Sequence, residues 1–187
     1  MIRAFIALQL PTEIRTRIAM IRPAIPDARW VDPDDMHLTL RFLGTCEEPT
    51  LDEICEHLSE LDQGPLDLTP TELGCFGHSH MRAVWIGIEK TEALDNLRRQ
   101  VERIAQDVGL EPDGRKFAPH VTLARMTRAP SAGVARALGE HGRTDLPPFR
   151  SHVMTALSSG RSRGGGPYRV EAHFDLEQEP APHDQQT

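Results

Sequence analysis

The amino-acid sequence predicts an α+β domain whose strands pair mainly antiparallel. Three observations lead there. Segments with strand alternation and segments with helical spacing are interspersed along the chain, without the strict β-α-β rhythm of a doubly wound parallel sheet. The length of 187 residues, with no Gly/Ser linker, suits one compact domain or two small lobes sharing a core. The composition, 39% hydrophobic and 26% charged, is that of an ordinary globular chain.

The elements follow in order. Ile2 to Leu10 alternates as a strand, and Pro11, Thr12 and Glu13 open a helix with Ile14, Ile18 and Ile21 on one face, ended by Pro23 and Pro26. His37 to Leu43 reads as the second strand. Thr50 and Glu53 have capping-box spacing for a helix with Leu51, Ile54, Leu58 and Leu61 on its inner stripe. Leu66 to Phe76 and Ala83 to Ile88 are two further strands around the turn-prone Gly77 to His80. A long helix carries Leu94, Leu97, Val101, Ile104 and Val108, closed by Gly109. A strand from His120, a short helix around Val134 to Leu138, and strands near Val153 to Leu157 and Tyr168 to Leu176 complete the order. Residues 1–176 are expected to form the folded domain, and 177–187, polar with two prolines, a frayed tail.

The net charge of −7 argues against a protein that coats long nucleic acid, since a polyanion is held by Lys and Arg. The total hides a division. Gly114 to Arg169 holds ten Lys/Arg against two Asp/Glu, net +8, and the rest eleven against twenty-six, net −15. A site built partly from the basic stretch would hold a terminal phosphate while the molecule repels long polymers. Cys46, Cys55 and Cys75 are odd in number and have no CxxC spacing, so they are expected reduced and structural. No apolar run reaches the roughly 20 residues of a membrane span, and no signal stretch opens the chain; the expected location is the cytoplasm and the expected state a monomer.

Two segments share one pattern, His37-Leu38-Thr39-Leu40 and His120-Val121-Thr122-Leu123. In a strand, His and Thr two apart project to the same face while the aliphatics between them point to the core. Nine His and thirteen Thr in this chain give about 0.6 His-x-Thr triplets by chance; requiring Leu next lowers this to about 0.06, and two such matches to about 0.002. The chemistry such a pair serves is acid-base work on a phosphodiester: one imidazole takes a proton from attacking water and the other gives one to the departing oxygen. Threonine hydroxyls and a guanidinium such as Arg125 would hold the non-bridging oxygens. Strict alternation puts Arg41 on the face of His37 and Thr39, and puts Arg125 on the opposite face from His120 unless the strand bulges. Neither a metal nor a cofactor is needed.

With these motifs the sequence resembles the 2H phosphoesterases, and within them the RNA 2',3'-cyclic phosphodiesterases also called 2'-5' RNA ligases. The resemblance runs over nearly the whole chain: Arg3 to Leu8 before Pro11, Arg29-Trp30-Val31, Met36 to Gly44, Trp85 to Ile88, Phe117 to Arg125 and Gly165-Gly166-Pro167-Tyr168. It implies a bilobal fold, each lobe an antiparallel sheet with helices outside, and a central cleft that receives one His-x-Thr from each lobe. It implies that a terminal 2',3'-cyclic phosphate of RNA, on tRNA fragments for instance, is opened to a 2'-phosphate, with reversible 2'-5' ligation in some members. By position it makes His37 and His120 the acid and base, with His120 as base and His37 as acid preferred though not fixed. It gives Thr39 and Thr122 the phosphate, and adds Arg125 as a further phosphate contact.

The chain departs from the family at Ser158 to Arg163, where a glutamate and serine usually precede the Gly-rich turn and Arg161 and Arg163 stand here. That loop is expected either to close over RNA or to be an exposed turn. His78-Ser79-His80 has metal-like alternation but no third ligand of the usual type nearby, which favours incidental surface histidines. Of the aromatic residues, Phe42 and Trp85 are expected in the core, and Trp30 and Phe117 either pack there or stack on a base. Two rival functions use the same residues: a 2H enzyme acting on 2'-5' oligonucleotides or another cyclic phosphate, and an RNA-end binding module without turnover.

Overall fold

The computed structural model describes residues 1–21, 25, 28–76, 83–126, 144–160 and 166–176. The strands are β1 (Ile2–Gln9), β2 (Ala28–Trp30), β3 (His37–Cys46), β4 (Leu66–Leu68), β5 (Pro70–Phe76), β6 (Ala83–Ile88), β7 (His120–Met126), β8 (Phe149–Ser151), β9 (Val153–Ser159) and β10 (Tyr168–Asp175). The helices are α1 (Thr12–Met20), α2 (Glu48–Ser59) and α3 (Glu92–Asp107), with a 3-10 turn at Pro33–Asp35. The class is α+β, and every strand pairing among the described residues is antiparallel.

Two sheets form. The small one pairs β4 with β8, where Asp67 and Arg150 face each other and are joined by two bonds of 2.7 and 2.8 Å. The large one runs β10-β9-β1-β3-β7-β6-β5, with β2 on β7. It consists of two four-stranded halves, one containing β3 and the other β7, and these halves share one register pair, Leu38 with Val121. The two lobes expected from the sequence are these halves.

One face of the large sheet is covered by helices. Leu94, Leu97, Val101 and Ala105 of α3 are buried in one cluster with Leu38, Leu40, Val121 and Leu123. The helical spacing of α3 made it the most legible element, and its ends obey local rules: the Thr91 hydroxyl accepts from the Leu94 N–H at 3.2 Å, and Gly109 takes φ +93° while its N–H bonds to Gln106.

Several expectations need correction. α2 starts at Glu48, with Glu47 as its cap and no side-chain capping bond, so Thr50 lies inside the helix instead of capping it. Pro49 in the first turn explains the shift, because its fixed φ and missing N–H suit that position. The single strand expected over Leu66 to Phe76 is two strands in different sheets, split before Pro70, which cannot donate to a ladder. β2 and β8, three residues each, carry too little periodicity to be read in advance. The helix expected at Val134 to Leu138, the Arg161 to Arg163 loop, His78-Ser79-His80 and the 177–187 tail lie outside the described residues. Among the described residues no helix is long and apolar enough to cross a membrane.

Candidate functional site

Local sequence places each histidine. The Asp32 carboxylate accepts from the Asp34 N–H at 2.9 Å and Pro33 opens the turn, so Pro33–Asp35 forms a capped 3-10 turn ahead of β3. Arg15 of α1 grips that turn through Asp34 at 2.8 Å. The turn delivers the Asp35 carbonyl to His37, 2.7 Å from Nδ1. Before β7, Pro119 keeps the chain extended and its carbonyl accepts from Ile88, and the Ala118 carbonyl lies 2.7 Å from His120 Nδ1. Both rings thus use the carbonyl two residues back. A carbonyl only accepts, so Nδ1 carries the proton in each neutral ring and Nε2 is the basic position.

Each motif strand then bulges at the same place. β3 pairs Thr39 with Ala7 and Arg41 with Ile6, skipping Leu40; β7 pairs Thr122 with Trp85 and Ala124 with Val84, skipping Leu123. The extra residue reverses the alternation beyond it. This turns Arg41 inward, contrary to its expected parity, where it is 5% exposed and its Nε lies 2.6 Å from Glu102 of α3. It turns Phe42 outward, 40% exposed, into the cleft instead of the core. By the same device Arg125 reaches the face of His120 and Thr122.

A cleft of about 620 Å³ opens on this face, lined among others by His37, Thr39, Phe42, His120, Thr122 and Arg125. All five site residues named from the sequence therefore meet. The expected basic stretch contributes Arg115, Lys116 and Arg125 to it. Of the aromatics left open, Phe117 lines the cleft, with the Arg98 guanidinium 5.5 Å from its ring centre, and Trp30 packs against the core. Trp85, expected in the core, is half-buried, its ring 6.2 Å from that of His120.

The sequence reading did not single out what surrounds His37. Its ring lies 4.8 Å from Phe5 and 5.2 Å from Tyr168, which meets it edge-on, and the Asp35 carboxylate anchors Tyr168 by accepting its backbone N–H at 3.0 Å. Gly166 is required here: its φ is +80°, and a Cβ would fall 1.9 Å from the Asp35 carboxylate. The signal was the Gly166-Pro167-Tyr168 run, legible as a turn but not as a wall for an imidazole far away in sequence.

This surrounding sets the protonation state. Burial pushes the His37 pKa down to about 4, opposed by the bond to the Asp35 carbonyl and assisted by the Arg125 cation and by His120 when that ring is charged. Burial also lowers His120, again with Arg125 acting in the same direction. At neutral pH both rings rest neutral, with basic Nε2 positions. The Arg125 Nε is buried without a hydrogen-bond partner among the described residues, as are the Nε atoms of Arg15, Arg41 and Arg98. No group of three or more potential metal ligands occurs among the described residues.

Comparison with known proteins bears on this geometry. The family model described as LigT like Phosphoesterase matches twice, over residues 8–85 and 86–168, one copy per histidine motif. A protein of Aeropyrum pernix named RNA 2',3'-cyclic phosphodiesterase is 34% identical over 161 residues, covering 82% of this chain and 92% of its own. One of the same name from Bacillus subtilis is 30% identical over 162 residues, 82% of each chain. Another from Geobacillus stearothermophilus is 34% identical over 128 residues, 65% of this chain but 41% of that longer protein. The crystal structure of E. coli LigT complexed with 3'-AMP superposes with a TM-score of 0.79 at 27% identity, over 94% of this chain and 98% of the other. The apo form of LigT gives 0.79 at 28%, over 95% and 98%. With both halves matched and both motifs in one cleft, the chain belongs to the LigT-like phosphoesterase family.

Proposed function

We propose that this protein is an RNA 2',3'-cyclic phosphodiesterase that opens a terminal cyclic phosphate to a 2'-phosphate with His37 and His120 as its acid-base pair. The observation that carries the reading is the meeting of two His-x-Thr motifs on one cleft face, each imidazole held by the same Nδ1 bond to the carbonyl two residues back. Relatives that align over most of their length bear this activity in their names.

The reaction follows from the protonation states. Nε2 of His120 accepts a proton from water as its oxygen attacks phosphorus. The P–O3' bond breaks, and O3' takes a proton from Nε2 of His37, leaving the 2'-phosphate. Each transfer is worth about 10² to 10⁴ in rate. His37 must first gain the proton it lacks at rest. The anionic phosphate supplies the reason, because a negative charge beside a buried imidazole favours its cationic form. Thr39, Thr122 and Arg125 hold the non-bridging oxygens, and the Arg125 guanidinium, which lines the cleft, stabilises the charge that grows on them.

The test is incubation of the protein, in EDTA, with a short RNA ending in a 2',3'-cyclic phosphate, followed by identification of the terminal phosphate. A 2'-phosphate product, absent with His37→Ala and His120→Ala, is the expected result. An unchanged end, or a 3'-phosphate, overturns the reading.

A further inference from the structure

Beyond the histidines, the cleft rim carries a flat cation with one face open. The Arg115 guanidinium lies over the Phe42 ring, 4.9 Å from its centre. Its Nε and Nη2 donate to the two carboxylate oxygens of Asp113 at 2.8 and 2.9 Å. The side chain is nonetheless 61% exposed and lines the cleft.

Both supports of this plane are anchored in the same buried ion pair. The Asp113 N–H donates to Glu102 Oε1 at 3.0 Å, and the other Glu102 oxygen holds Arg41, the neighbour of Phe42 in β3. The guanidinium is therefore positioned from beneath by β3 and from its edge by the 113–115 segment. An arginine already spent bidentately on a carboxylate is a poor phosphate ligand, because its charge is matched and its donor edge occupied. What remains is its outer face, a planar, weakly hydrated surface of the type that stacks on nucleobases.

Its exposure bears on which base. His37, Thr39, His120 and Thr122 are half-buried in the cleft, whereas Arg115 and Lys116, which line it too, are exposed, so a terminal nucleotide seated on the histidines would leave the base before it to meet Arg115. Lys116, next in the chain, is a second exposed cation lining the cleft.

We propose that Arg115, backed by Phe42, is a stacking platform for the nucleobase immediately 5' of the terminal nucleotide, so that the preferred substrate is an RNA chain end and not a free cyclic mononucleotide. This rests on the phosphodiesterase reading above.

The experiment measures equilibrium binding of a trinucleotide RNA ending in a 2'-phosphate, of the same RNA with an abasic penultimate nucleotide, and of adenosine 2'-monophosphate. The wild type should bind the intact trinucleotide about tenfold tighter than the abasic one. Arg115→Ala should abolish that preference and leave the mononucleotide unchanged. Arg115→Lys keeps a cation for Asp113 without the plane, and should behave like Arg115→Ala. Restoration of the preference by lysine would make Arg115 a charge or a loop tie and overturn the platform. Equal weakening of all three ligands, or no wild-type preference, would overturn it too. Turnover of cyclic ends alongside equal binding of intact and abasic RNA removes the platform alone. Base-dependent binding without turnover removes the catalytic reading alone.

Discussion

Leu38 and Val121, the middle residues of the two histidine motifs, face one another as the one register pair that joins the halves of the large sheet among the described residues. Both are fully buried. Antiparallel pairing through them carries His37 opposite Thr122 and Thr39 opposite His120, so four functional side chains fall on one face in a two-fold arrangement. A slip of one residue would turn both functional side chains of the slipped strand into the helix layer. The burial of two aliphatic residues is thus what composes the site.

His37→Ala and His120→Ala should each lower kcat about 10²- to 10⁴-fold on a cyclic-phosphate RNA end. Far-UV circular dichroism of both variants should match the wild type. Full activity in either would remove the acid-base pair.

The pH dependence follows from the depressed imidazoles. Since both free-enzyme pKa values lie below the ordinary 6.5, kcat/KM should peak on the acid side of 6.5 and decline towards neutral pH. The kcat profile should lie at higher pH, because the bound phosphate favours imidazolium. Stability should respond in the same window: the unfolded chain protonates first, so stability falls as pH drops from 6.5 towards 4. His37→Ala should flatten that loss in denaturant titrations. A kcat/KM optimum above pH 7 would contradict the burial argument.

Glu102→Gln should cost about 3 to 5 kcal/mol, because it strips the buried Arg41 of its counter-charge and loosens the Asp113 segment. The double variant Arg41→Met with Glu102→Leu should recover part of this, since it removes the buried Arg41 charge while Arg98 and the Asp113 N–H still lose Glu102 as their partner. Urea titration distinguishes the two; equal stability of Glu102→Gln and wild type would show the pair to be idle.

Gly74→Ala tests how the cleft wall is built. A Cβ at Gly74 would lie 2.2 Å from the Trp85 indole, which crosses β5 at that point, so the indole must move. The expected cost is about 1 to 3 kcal/mol of overpacking, with a fall in kcat, because Trp85 lies against His120. Wild-type melting and kcat would show that the indole has room to shift.

The sequence by itself determined the α+β class and most helices and strands, and it singled out the five candidate residues His37, Thr39, His120, Thr122 and Arg125 that line the cleft. These are local matters: periodicity shows in neighbouring residues, and His-x-Thr in a strand puts both side chains on one face whatever surrounds it. Tertiary structure decided what depends on pairing across the sheet. Arg41 and Phe42 exchange their expected places because β3 bulges at Leu40 against β1, and Arg125 joins His120 because β7 bulges at Leu123 against β6. No periodicity in one strand encodes the extra residue, since a bulge exists only relative to a partner. The enclosure of His37 by Phe5 and Tyr168 belongs to the same class. Strands from the two ends of the chain build it, and the burial that lowers the pKa of His37 exists only once they meet.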